Sequence, residues 1–209
     1  SYNVAIGYRA MYDGGTSGGS ANVAIGKNAL KLATTSGGHI AIGDGAMGAT
    51  GTNSGSNNIA IGADAGSVIN NADANIYIGR NAGVQADGES NNVALGHYAL
   101  SGAVAGGEYN LAIGNYSLDA VTSGDFNIGI GHNAGGAITE GHSNIAIGYN
   151  ALDAVTTVGE NIAIGSEALT SATGYANVAI GKTAMGLIGS GDGNTAVGHY
   201  AGQQLASGA

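Results

Sequence analysis

The sequence predicts an all-β fold, a parallel β-solenoid of about twelve coils with a 17-residue period, and two observations predict it. The first is repetition: the string Asn144-Ile-Ala-Ile-Gly148-Tyr-Asn-Ala151-Leu152 returns, little changed, from one end of the chain to the other. Its leading residue stands at Asn3, Asn22, His39, Asn58, Asn75, Asn92, Asn110, Asn127, Asn144, Asn161, Asn177 and Asn194, with steps of 16 to 19 residues. A fixed period of this size marks a solenoid, whose repeats bury their apolar surface by stacking on one another. The second is alternation within the repeat: two aliphatics flank a small residue, a period of two and hence a short strand.

Taking one repeat in order, the pairs Val4/Ile6, Val23/Ile25, Ile59/Ile61, Ile145/Ile147 and Ile162/Ile164 are expected to face the coil interior. The central Ala (Ala5, Ala24, Ala41, Ala60, Ala94, Ala112, Ala146, Ala163, Ala179, Ala196) then points outward, with Tyr77 and Gly129 in the same slot. Twelve rows of small residues make a smooth strip suited to a seam between chains. The Gly that closes each strand, from Gly7 to Gly198, is present in all twelve copies. That constancy implies positive φ or backbone too close for a Cβ.

Two variable residues follow and are expected to face solvent; then comes Ala, or Ser117, and then Leu, Met or Gly. Where the last is Gly, an aliphatic appears later: Val68 and Ile69 after Gly66, Val84 after Gly83, Ile138 after Gly135, Leu205 after Gly202. Leu118 with Val121, Leu152 with Val155 and Met185 with Ile188 carry both. Close packing makes such an exchange of volume necessary. This second segment is expected to be another short strand. The rest of each period is Thr, Ser, Gly, Asp and Asn, which is turn chemistry. The longer repeats put their extra residues in 12–21 and 48–57, loops that should protrude. The marker Asn residues are expected to stack into an amide ladder that also satisfies backbone groups in the turns.

Composition narrows the functional classes. The 209 residues form one uninterrupted array, 1–209, with 41 Gly, no Pro, no Cys, no Trp and 9% charged residues. Without Pro and a strict triplet this is not collagen, and 44% periodic apolar residues argue against disorder. A formal charge of −9 with five Lys and Arg in all argues against a nucleic-acid partner. No apolar run reaches the roughly 20 residues that insert into a membrane as a helix.

The chemistry-bearing residues read as structural, and no catalytic, cofactor or metal site is expected. Gly129-Ile-Gly131-His-Asn-Ala134 imitates a dinucleotide fingerprint but is one more copy of the repeat without the helix that motif requires. His39, His97, His132, His142 and His199 fall on different coils with no Cys partners. The acids, among them Asp44, Asp64, Asp119, Asp153 and Asp192, lack the calcium-binding nonapeptide pattern, and Asp13 belongs with them. No Ser, His and acid set recurs, so the chain is read as no enzyme. Tyr8, Tyr98, Tyr116, Tyr149 and Tyr200 differ: they sit just after the turn Gly, where an amphipathic ring suits a glycan or protein receptor or a contact between chains.

The string Asn-Val-Ala-Ile-Gly, two variable residues and Ala resembles the head repeat of YadA-like trimeric autotransporter adhesins. With Ala-Leu and a Thr/Ser/Gly turn after it, it looks still more like the trimeric β-solenoid repeats of bacteriophage tail fibres. The resemblance implies a left-handed β-roll or β-helix assembled as a homotrimer. It also implies a place on a virion or cell surface, and host attachment through a cell-surface glycan or protein. The adhesin head repeat is shorter than 17 residues, so the extra ones here enlarge a turn or add a side to the coil. Beside the tail-fibre reading stand a bacterial adhesin head and a self-assembling extracellular filament, with an ice-binding solenoid below them because Thr is irregular.

Overall fold

A computed structural model describes residues 2–12, 19–32, 37–48, 55–102, 106–171, 173–187 and 189–203. Asp13, Ile188, Leu205 and the tips of the two longer loops lie outside them. The described residues form twelve three-residue strands, β1 (Val4–Ile6), β2 (Val23–Ile25), β3 (Ile40–Ile42), β4 (Ile59–Ile61), β5 (Ile76–Ile78), β6 (Val93–Leu95), β7 (Leu111–Ile113), β8 (Ile128–Ile130), β9 (Ile145–Ile147), β10 (Ile162–Ile164), β11 (Val178–Ile180) and β12 (Thr195–Val197). They make one parallel sheet in sequence order, each strand pairing with the next. The register is that of the repeat, with Ile145, Ala146 and Ile147 opposite Ile162, Ala163 and Ile164. At about 4.8 Å per coil the sheet runs roughly 53 Å along the axis.

The strands face opposite to the expectation. The central Ala is buried from β2 to β12, while the flanking aliphatics are half-buried or exposed, reaching 67% at Val197. Alternation establishes that a strand has two faces; it does not say which is inside. The inside is decided by volume: the coil already contains a Leu or Met, such as Leu30, Leu100, Leu118, Leu152, Leu169 and Met185, together with a second Ala and, in several coils, Val121, Ile138 or Val155. Opposite these, the slot at mid-strand accepts only a methyl group at interior packing density. The small-residue strip is therefore core, and the outer strip is aliphatic.

The second segment is not a strand either. In coil nine, Asn150 and Leu152 take left-handed φ of 50° and 55°, as Tyr116 and Leu118 do at 58° and 50°. The Asn150 N–H bonds back to the His132 carbonyl at 3.1 Å, and the Leu152 N–H bonds forward to the Ala168 carbonyl at 3.0 Å. Left-handed residues at alternate positions thus tie the arc to both neighbouring coils without an extended chain, turning the Leu side chain inward. Leu and Tyr adopt this region at a cost of about 1–2 kcal/mol each, offset by the repeated hydrogen bonds.

The closing glycines occupy a different region. All twelve have φ between 129° and 144°, conformations essentially restricted to Gly. A Cβ on Gly148 would also stand 2.6 Å from the carbonyl oxygen of Gly165 in the next coil. Both reasons inferred for the invariant Gly hold at once.

The volume exchange holds at Gly66 and Gly135, with a reassignment at Gly83. Gly66 is matched by buried Ile69 and Gly135 by buried Ile138, whereas Val68 and Val84 stay half-buried. In the fifth coil the space beside Gly83 is filled by Tyr77, which is fully buried and not outward as expected. A Cβ added to Gly83 would meet the Tyr77 ring at 2.6 Å.

Candidate functional site

Three features could carry function: the internal ladder, the outer face of the sheet and the edges that border it. The ladder is built from the marker residues. Each Oδ1 accepts the backbone N–H of the next marker, as Asn127 accepts from Asn144 at 3.0 Å and Asn144 from Asn161 at 3.1 Å. Each Nδ2 donates to a turn carbonyl three residues before the next marker: Asn58 to Ala72, Asn75 to Glu89, Asn92 to Gly107, Asn110 to Gly124, Asn127 to Gly141 and Asn144 to Val158. The series begins at Asn3, which accepts from Asn22, and continues through Asn177, which accepts from Asn194. These amides are interior and hold the turns together, so they are scaffold and not a binding surface.

His39 takes the same place with an imidazole. Its Nδ1 accepts the Asn58 N–H at 3.3 Å and its Nε2 donates to the Gly55 carbonyl at 2.9 Å. Only the neutral ring protonated at Nε2 satisfies both partners, because a second ring proton would point at the Asn58 N–H. Burial accordingly lowers its pKa from the ordinary 6.5, the Gly55 and Asn58 backbone bonds and the charge of Asp73 opposing the shift. A folded-state pKa below the unfolded one means that the unfolded chain binds the proton first. Stability is thus complete above pH 6.5 and falls as pH drops below it toward the lowered value. Between pH 7.5 and 5.0, His39→Asn should lose less thermal stability than the parent chain; equal losses in a calorimetric pair would rule out this residue as the cause.

The outer face is unusual. Of the 24 outward positions on the twelve strands, 23 are Val, Leu or Ile and the last is Thr195. They form two columns with no charge along the length of the sheet.

On the edge that follows the strands, the structure brings three of the five singled-out tyrosines together. His97, Tyr98, Tyr116, His132 and Tyr149 make a continuous file across four coils: Tyr98 stacks on Tyr116 at 5.7 Å and 6°, and His132 on Tyr149 at 5.7 Å and 25°. His97 and His132 bridge to Tyr116 at 5.5 and 5.9 Å. Tyr8 and Tyr200 stand apart near the two ends, beside Arg9 and His199. On the opposite edge Tyr109 stacks on Phe126 at 5.1 Å and 6°. Sequence reasoning missed that pair and the two histidines, although residues spaced by one period must stack, and that spacing was legible.

Carboxylates do not gather into a reactive group. Burial raises the pKa of Asp119 and of Asp153 above the ordinary carboxylate value. At Asp119 its own backbone N–H and the nearby His132 charge oppose this; at Asp153 its backbone N–H opposes it and Glu167 adds to it. Asp153 and Glu167 line an open polar groove with Thr170 and Thr183. Among the described residues no set of three or more His, Cys, Asp or Glu side chains could hold a metal ion, and no helix is long and apolar enough to cross a membrane.

The fold and the site define a class, a tandem-repeat parallel β-solenoid with one apolar sheet face. No protein-family model, curated protein or solved structure matches the chain.

Proposed function

We propose that the chain is a non-enzymatic structural and adhesive segment of a surface fibre, working as a parallel homotrimer that carries or contributes a receptor-binding surface. The supporting observation is the outer strip. A face of three-residue strands about 10 Å wide and roughly 53 Å long offers on the order of 500 Å² of apolar footprint, at the upper end of what monomers leave bare. Turned toward a common axis, three such faces would cover one another and leave the variable turns outside, where a cell-surface glycan or protein would be met. The repeat's resemblance to tail-fibre and adhesin heads favours a virion or cell-surface location over an intracellular one. A regular Thr array, which an ice-binding surface would need, finds no support on a strip whose sole Thr is Thr195.

The test introduces charge at the middle of the strip. Ile130 and Ile147 face outward and are half-buried in the single chain, so a coil can form with Glu at both. Ile130→Glu/Ile147→Glu is expected to scatter light as a monomer while keeping the circular dichroism of the parent. A variant with the parent's mass would contradict the assembly. Attachment is read separately, by binding of the labelled parent to immobilised cell-surface glycans and to host cells; absence of binding on both would remove the adhesive role.

A further inference from the structure

We infer that the aromatic side chains bordering the outer strip form a clasp between copies of this chain, Tyr116 and His132 of one copy packing against Tyr109 and Phe126 of the next. This rests on the parallel assembly proposed above and specifies its contact.

The footprint of the strip, about 500 Å², falls short of the roughly 800 Å² per partner that a stable interface buries. The contact must therefore extend onto the edges, and the edges are not uniform. The residue just before each marker is Ala21, Gly38, Asn57, Ala74, Asn91, Tyr109, Phe126, Ser143, Glu160, Ala176 or Gly193 from the second coil to the twelfth. Tyr2 holds this place in the first coil, and large apolar side chains stand there on adjacent coils at the seventh and eighth. Those are the coils at which the file on the other edge is also aromatic.

Symmetry supplies the pairing. In a closed ring of parallel chains the interface is head-to-tail, so the edge following a strand in one copy lies against the edge preceding the same strand in its neighbour. The copies stand at equal height along the axis, which puts Tyr116 opposite Tyr109 at the seventh coil and His132 opposite Phe126 at the eighth. The Tyr109 and Phe126 rings lie nearly parallel, at 6°, and Tyr116 and His132 stand 5.9 Å apart. Tyr109 is 51% exposed, Phe126 57% and Tyr116 37% in the single chain.

The chain contains no Cys, so cross-linking in the full chain is clean. Within one chain a three-residue strand, roughly 10 Å of extended backbone, separates the two edges, beyond the ~7 Å that a disulfide spans. Oxidised Tyr109→Cys/Tyr116→Cys is expected to run on a non-reducing gel as a covalently closed trimer, and each single variant as a monomer. Phe126→Cys/His132→Cys, one coil away, should do the same and serves if the first pair folds poorly. Disulfide dimers from Tyr116→Cys alone would mean a two-fold antiparallel contact and overturn the clasp. Double variants of trimeric scattering mass that stay uncross-linked and take up maleimide fully would also overturn it, leaving the file free for an outside ligand such as a glycan. A monomeric parent would remove the ring itself.

Discussion

Asn144→Ala is expected to cost about 3–5 kcal/mol of folding stability, from one buried amide that bonds to the coils on either side. Its loss leaves the Asn161 N–H without the acceptor that stands 3.1 Å away and the Val158 carbonyl without the donor 3.0 Å away, both inside the turn. It also removes the donor to Asn127 Oδ1, at 3.1 Å. Asn144→Asp discriminates between shape and hydrogen bonding. It keeps the acceptor for Asn161 but turns a second carboxylate oxygen toward the Val158 carbonyl, so at neutral pH it should be no more stable than Ala. Protonation of that carboxyl restores a donor, and denaturation curves taken at pH 7 and pH 4.5 should show Asp gaining on Ala in acid. An Asp variant as stable as the parent at pH 7 would mean that the ladder is held by packing alone.

Tyr77→Ala is the second large effect, an expected loss of about 3–5 kcal/mol from deleting a buried aromatic ring. The fifth coil has Gly83 where other coils have Leu or Met, and the ring occupies that volume. The cure follows from the repeat. Tyr77→Ala/Gly83→Leu restores the arrangement of coils with Leu118 or Leu152, which take the same left-handed φ as Gly83, 50° and 55° against 56°. More than half of the lost stability should return. The Tyr77 hydroxyl is buried without a hydrogen-bond partner, and the nearby Asn92 amide is already committed to Gly107 and Asn110. Burial, and secondarily the charge of Glu89, push the phenol pKa upward. Tyr77→Phe should therefore be neutral or stabilising by about 1 kcal/mol. A double variant no more stable than Tyr77→Ala would show that the two positions do not share one space.

Period and strand position were legible because they are properties of spacing, and spacing is what a repeat displays. The twelve closing glycines were legible for the same reason, and their φ values and close carbonyls give the physical basis. Inside and outside were not. Both faces of Ile145–Ile147 are apolar, and choosing the bulkier face as core adds its volume to that of Leu152 and Val155, which already fill the coil from across it. Tyr77 was misplaced by the same step, since a slot taken as outward seemed free to hold a ring. The arc from Asn150 to Leu152 was taken for a strand because left-handed φ at Leu has no strong residue signature; Asn28, Asp64, Asn81, Asn133 and Asn150 at the companion position are the signal that was there. Of the surface, the tyrosines were visible one by one. Their union with His97 and His132 needed the period applied to side chains as well as to backbone.

The inverted strand sharpens the functional question, because it moves the apolar pairs from the core to the surface and asks what covers them. Sedimentation equilibrium of the unaltered chain at micromolar concentration in physiological salt answers this most directly. Association through the outer face predicts a single species of three times the 20.1 kDa chain mass, stable on dilution; a soluble species of one chain mass across the concentration range would contradict it.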